Sequence, residues 1–226
     1  KRVNQTQVKP EIGLTFANGL RSLVRQDPDI IMVGEIRDSE TVGLAINAAL
    51  TGHLVLSTLH TNSASGAVPR LLDMGAEPFL LVSTINVIIA QRLVRRLSSN
   101  KEKYTLSLSE RKILSQSVDL DRVLKFLRDE KVVGEKDDWT IIPFYRPQKA
   151  EGASLGGDDG YSGRVGIHEV MNITPMIKEM IIKGATSDEL EEQAKKDGMM
   201  TMLEDGIFKA VQGLTSIEEV LGAINQ

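Results

Sequence analysis

Residues Ile30–Asn62 read IIMVGEIRDSETVGLAINAALTGHLVLSTLHTN, and the fold class follows from this stretch. Ile30–Val33 is a continuous apolar run after the turn signal Asp27-Pro28-Asp29, and His53–Leu59 is a second one after Gly52. Continuous β-branched runs of this length suit strands buried on both faces. Between them, Ser39–Thr51 sets Val42, Ala45, Ile46, Ala49 and Leu50 on one helical face, with Ser39 as the expected N-cap. Strand, helix and strand at this spacing make a βαβ unit, and hence a parallel sheet.

In open parallel sheets, ligands bind beyond the carboxyl ends of the strands. The first strand delivers Gly34-Glu35-Ile36-Arg37-Asp38 to that rim, and the second delivers His60-Thr61-Asn62. An apolar strand ending in an acid has the chemistry of a Walker B element, whose carboxylate sits near Mg²⁺ or its waters and positions an attacking water. The same pattern reads equally as an exposed Glu at a strand end. His60 likewise reads as a catalyst or as a hydrogen-bonded structural residue. His53 belongs to the opposite rim, with a structural role.

Upstream, Leu14–Gln26 has helical spacing, and Arg21 and Arg25, four apart, share a face. Two stacked arginines can clamp phosphate or act on a neighbouring subunit's nucleotide; they also suit a plain solvated face. Arg70, in the helix after the His60 strand, carries the same two readings. Arg92, Arg95 and Arg96 cluster in a manner that reads as a helix C-terminus facing its dipole.

From Ser98 the texture changes, which places a domain boundary near residue 97. Helical patterns at about 109–116 and 119–130 lead to an extended segment, Trp139–Tyr145. A Gly- and Asp-rich loop at 151–160 and a strand at Arg164–Val170 follow. Helices fill about 175–183, 186–197, 200–212 and 216–224, with Thr186 and Ser216 as N-caps.

Composition narrows the class. Of 226 residues, 41% are hydrophobic and 26% charged, ordinary for a globular protein. The net charge of −4 gives no support to a nucleic-acid surface. There are no cysteines, which excludes disulfides and thiolate metal sites. The longest apolar stretch, Phe79–Ala90, is interrupted by Ser83, Thr84 and Asn86, and is shorter than the roughly 20 residues a membrane span needs. No G-x-x-x-x-G-K-[ST] occurs. The chain opens without Met and without a signal peptide, so it reads as an internal fragment.

Longer strings carry a resemblance. Asn4–Val8 (NQTQV), Glu11–Phe16 (EIGLTF), Leu20–Asp38 (LRSLVRQDPDIIMVGEIRD) and Ala48–Ala64 (AALTGHLVLSTLHTNSA) resemble the type II secretion and type IV pilus assembly ATPase family. So do Val68–Leu71 (VPRL), Gln91–Leu93 (QRL), Gly160–Met171 (GYSGRVGIHEVM), Met202–Gly206 (MLEDG) and Gly213–Val220 (GLTSIEEV). The resemblance covers most of the chain except about 98–150.

It implies an α/β fold: residues 1–97 as the rear part of a RecA-like P-loop NTPase core, and 98–226 as a mostly helical C-terminal domain with a small β element. It implies that Glu35 matches the Walker B glutamate and His60 the His box. Arg21, Arg25, Arg37 and Arg70 match arginines that surround nucleotide or couple subunits, and Thr61 joins them as a nucleotide-side residue. The implied cofactors are ATP and Mg²⁺, the latter near Glu35. A homo-hexamer, an inner-membrane platform protein and other assembly factors are the implied partners, with no nucleic acid. The implied location is cytoplasmic, peripheral to the inner membrane. The P-loop would lie before Lys1, leaving this portion inactive alone. A docking fragment without chemistry, and a DNA-uptake or conjugation motor of the same superfamily, are the other readings.

Assembly-type members of that family carry two C-x-x-C pairs that hold zinc. Aligned on the flanking strings, these fall at Ser98 and Lys101, and at Ala153 and Gly156, none of them a ligand. Zinc is therefore expected to be absent. The subdomain at about 98–166 is expected to hold by packing, with Trp139, Ile141, Ile142 and Phe144 as candidates.

Overall fold

The computed structural model describes residues 3–148 and 159–224. After a short 3-10 turn at Pro10–Ile12, the chain forms α1 (Phe16–Val24), β1 (Ile30–Val33), α2 (Ser39–Leu50) and β2 (Leu54–Ser57). Then come α3 (Ala67–Asp73), α4 (Pro78–Thr84), β3 (Val87–Leu97) and β4 (Lys101–Thr105). Next are α5 (Leu108–Leu114), α6 (Leu120–Asp129), β5 (Pro143–Pro147) and β6 (Tyr161–Asn172). Helices α7 (Pro175–Ile182), α8 (Ser187–Lys196), α9 (Met202–Val211) and α10 (Ile217–Ile224) end it.

These elements fall into two compact units: Lys1–Ile88 with Met171–Met199, and Ile89–Val170 with Met200–Gln226. Each unit is discontinuous in sequence, so a single cut near residue 97 does not describe them.

In the first unit, β1 and β2 pair in parallel, with Ile30 opposite Leu54 and Val33 opposite Ser57. Gly52, at φ +97°, turns the chain from α2 into β2, in a region open to glycine at little cost. The N-cap of α2 is Asp38 rather than Ser39. Its Oδ1 accepts from the Thr41 N–H at 2.8 Å, and its Oδ2 accepts from the Thr41 hydroxyl at 3.0 Å. Both residue types cap well; the carboxylate wins because it satisfies two donors at once.

The expectation of strands buried on both faces is corrected. Ile31 and Val33 are buried, whereas Ile30 and Met32 are 59% and 61% exposed, and Leu54 and Leu56 are also exposed. Among the described residues the sheet has two strands, with α1 and α2 packed beside it. Nothing described covers its second face. Helices α7 and α8 belong to this unit, and Thr186 caps α8 as expected. Its hydroxyl accepts from the Glu189 N–H, and the Glu189 carboxylate accepts from the Thr186 N–H at 2.8 Å.

In the second unit, β4 and β5 pair antiparallel with Tyr104 opposite Phe144. Their inner face packs on α6, α9 and α10 in one apolar core containing Leu106, Val123, Leu127, Ile142, Phe144 and Ile207. Burying side chains of this kind stabilises by about 1.5–3 kcal/mol each. Trp139, Ile142 and Phe144 are in the core as expected, but Ile141 is 59% exposed. The extended reading of 139–141 fails because Asp138 forms a turn, accepting from the Thr140 N–H at 2.7 Å. That turn points Ile141 outward.

Strands β3 and β6 form a further two-stranded sheet. Arg92, Arg95 and Arg96 lie on β3, which corrects the helix-terminus reading. Arg95 bonds Glu219 at 2.6 Å and Asp159 at 2.7 Å, and stacks on the Tyr161 ring at 4.0 Å. Ser216 precedes α10 as expected and accepts from the Glu219 N–H at 3.4 Å. Except for Asp159 and Gly160, the loop expected at 151–160 lies outside the described residues.

Helices α9 and α10 meet at Gly206, where an added Cβ would lie 2.3 Å from a methyl carbon of Val220, itself fully buried. Two effects compete in Gly206→Ala. Helix propensity favours Ala by about 1 kcal/mol, while overpacking costs about 1–3 kcal/mol. Because the obstructing methyl is enclosed, overpacking is expected to win and the variant to unfold at lower urea. A midpoint at or above the parent's contradicts this packing.

Candidate functional site

The site is built where β1 and β2 end. Beyond Val33, the Gly34 carbonyl accepts from the Thr58 hydroxyl at 2.7 Å, and the Ile36 N–H donates to the Thr58 carbonyl at 3.0 Å. The residues on either side of Glu35 are thus tied to one residue of the segment that follows β2. Two positions after Thr58, His60 Nε2 lies 2.7 Å from Glu35 Oε2. A carboxylate only accepts, so Nε2–H is the donor. Glu35 Oε1 takes an Arg37 guanidinium nitrogen at 2.8 Å. Glu35 is the most enclosed of the three, its side chain 26% exposed against 70% for Arg37 and 78% for His60. The His60 hydrogen bond, and after it that of Arg37, holds the Glu35 carboxyl below the usual glutamate range.

Glu35, His60 and Arg37 are therefore brought together. Of the other expected residues, Arg21 and Thr61 bond elsewhere. Arg21 pairs with Glu40 at 2.5 Å and bonds Asn18 at 3.1 Å, so its guanidinium faces α2 and not Arg25. Arg25, the C-cap of α1, is exposed, as is Arg70 on α3. The Thr61 hydroxyl donates to the Ser63 carbonyl at 3.2 Å within its own loop. Sequence reading missed Thr58, since only the strand register shows that it faces Glu35's neighbours.

A rim with one ionised carboxylate, one imidazole and one arginine, Arg37, can orient a water, accept a proton and attract phosphate. Glu35 supplies the hard oxygen donor that Mg²⁺ prefers. Among the described residues, no cluster of three His, Asp or Glu is placed to hold a metal by itself. At the aligned zinc positions, the Ser98 hydroxyl donates to the Asn100 carbonyl at 3.3 Å and Lys101 Nζ to the Gly213 carbonyl at 2.6 Å. Ala153 and Gly156 lie outside the described residues. Elemental analysis of the purified chain is expected to find no stoichiometric zinc. A reading near the about one metal per chain of a tetrahedral structural site contradicts that.

Residues 1–222 match the family described as Type II/IV secretion system protein. The chain is 50% identical over 220 residues to the type II secretion system protein E of Xanthomonas campestris pv. campestris, covering 97% of this chain and 35% of that protein. It is 45% identical to the type IV pilus assembly ATPase PilB of Myxococcus xanthus, covering 97% and 36%. The chain thus spans about a third of the length of these relatives. Among solved structures, the pilus retraction motor PilT with bound ADP is similar at a TM-score of 0.56 and 26% identity, over 92% of this chain and 43% of that one. The ATPase DotB of Legionella pneumophila is similar at a TM-score of 0.57 and 22% identity, over 97% and 45%.

The fold is that of the RecA-like ATPases, with an α/β core portion and a mostly helical portion carrying small β elements. The chain belongs to the type II/IV secretion system protein family. Among its described residues, no helix is long and apolar enough to cross a membrane.

Proposed function

We propose that this chain is the rear portion of a motor ATPase that hydrolyses Mg-ATP to drive assembly of pilin-like subunits, in type IV pilus assembly or type II secretion. The observation that carries the reading is the 2.7 Å contact between Glu35 and His60 at the carboxyl rim of parallel strands. Membership of the family supports it, as do relatives named as a secretion protein and a pilus assembly ATPase.

In this reading Glu35 stays ionised, orients the attacking water and takes its proton. His60, donating through Nε2–H, holds the carboxylate in place. Arg37 braces the other carboxylate oxygen, and Arg25 and Arg70, both exposed, are free to meet phosphate of this subunit or the next. Mg²⁺, when bound, draws off charge from the phosphate oxygens, and Glu35 is the residue that would lie beside it or its waters.

No phosphate-cradling loop occurs in these 226 residues. The cradle then belongs to a part of the motor outside this chain, and the chain alone should not turn over ATP. The working form is a hexamer on the cytoplasmic side, engaging a membrane platform protein. Hydrolysis by the full-length motor, by its Glu35→Gln variant and by this chain alone tests the reading. Activity only in the first is expected; a motor indifferent to Glu35→Gln favours a docking role without chemistry.

A further inference from the structure

We infer that Thr58 is a positioning residue that sets the distance between Glu35 and His60. Glu35 lies two residues beyond the end of β1 and outside its ladder with β2. Its place is fixed through its neighbours instead. The Gly34 carbonyl before it accepts the Thr58 hydroxyl at 2.7 Å, and the Ile36 N–H after it donates to the Thr58 carbonyl at 3.0 Å. The same residue is two positions from His60, so its side chain and carbonyl tie the segment that carries Glu35 to the segment that carries His60. Side-chain contacts of 2.7 Å tolerate little drift, since hydrogen bonds weaken steeply with distance and angle. A shift of about 1 Å in a catalytic group can cost on the order of a hundredfold in rate. Thr58 touches no reacting atom in this account; it acts through Glu35.

Thr58→Val removes the hydroxyl bond while keeping the shape and the backbone bond to Ile36. Thr58→Ser keeps the hydroxyl. The groups facing the Glu35 carboxylate are Arg37 and His60. The readout is a pH titration of this chain by carbon-13 carboxyl NMR, with the Glu35 signal assigned through Glu35→Gln. In Thr58→Val, the Glu35 midpoint should move up toward that of His60→Ala, because the largest cause of its depression is the His60 bond. Thr58→Ser should keep the parent's curve. If Thr58→Val titrates like the parent while His60→Ala does not, Thr58 does not position the pair and the inference is wrong.

The bearing on hydrolysis rests on the function proposed above, and a second arm separates the two. In the full-length motor, Thr58→Val should lower kcat by roughly tenfold with KM little changed, and Thr58→Ser should restore it. A moved titration with unchanged kcat would keep Thr58's positioning role and overturn the hydrolytic role of the pair.

Discussion

Phe144→Ala is expected to destabilise the second unit by about 3–5 kcal/mol, the usual cost of removing a fully buried ring. Phe144 has no exposed surface and sits on β5 between Tyr104 and Trp139, with ring centroids 6.3 and 6.2 Å away. Residues of α6, α9 and α10 enclose it, so the cavity has little means of collapsing. The unit holds no disulfide, because the chain has no cysteine, and this core is what joins the β4–β5 pair to the helices. The chain's single tryptophan, Trp139, lies in the same cluster. Its fluorescence during urea unfolding therefore reports on this unit in particular. A loss below about 1 kcal/mol would mean that the packing is looser than described.

On the proposed function, Glu35→Gln is expected to lower ATP hydrolysis by the full-length protein about 10²–10⁴-fold, the range for removing a positioned general base. The substitution keeps the size of the side chain and its capacity to bond His60. It removes the charge that Arg37 and His60 hold in the ionised state and that would take the proton from water. In the proposed function, nucleotide contacts fall to arginines elsewhere, so binding should survive. In the proposed function Glu35 and His60 act as a unit, so Glu35→Gln with His60→Ala together should cost little more than the worse single change. Additive losses would mean that the two residues serve separate steps.

The sequence made the rim legible and left the contacts across it hidden. IIMV announces a strand by its apolar, β-branched run, and the position of Glu35 just past it follows from the topology of parallel sheets. The meeting of Glu35 with His60 does not follow, because the residues are 25 apart and only the register of β1 on β2 brings them together. Thr58 was invisible for the same reason. Arg21 looked like a partner of Arg25 by helical spacing, yet Glu40 of α2 offers it an opposite charge at 2.5 Å.

Other errors have local causes. Asp38 and Ser39 are adjacent residues of capping type, so pattern alone could not choose between them. Arg92, Arg95 and Arg96 suit a helix end as charges alone; the strand shows only in the alternation of β3, where Ile88, Ala90, Arg92 and Val94 are more enclosed than the residues between them. The exposed face of β1 and β2 could not be foreseen, since an apolar run does not reveal how many layers will cover it.

The most direct test of the central claim measures Mg-ATP binding and hydrolysis side by side, on the full-length motor and on its Glu35→Gln variant. Both are expected to bind nucleotide, and only the parent to hydrolyse it. Equal hydrolysis by the two would contradict the claim, and would remove Glu35 from the chemistry.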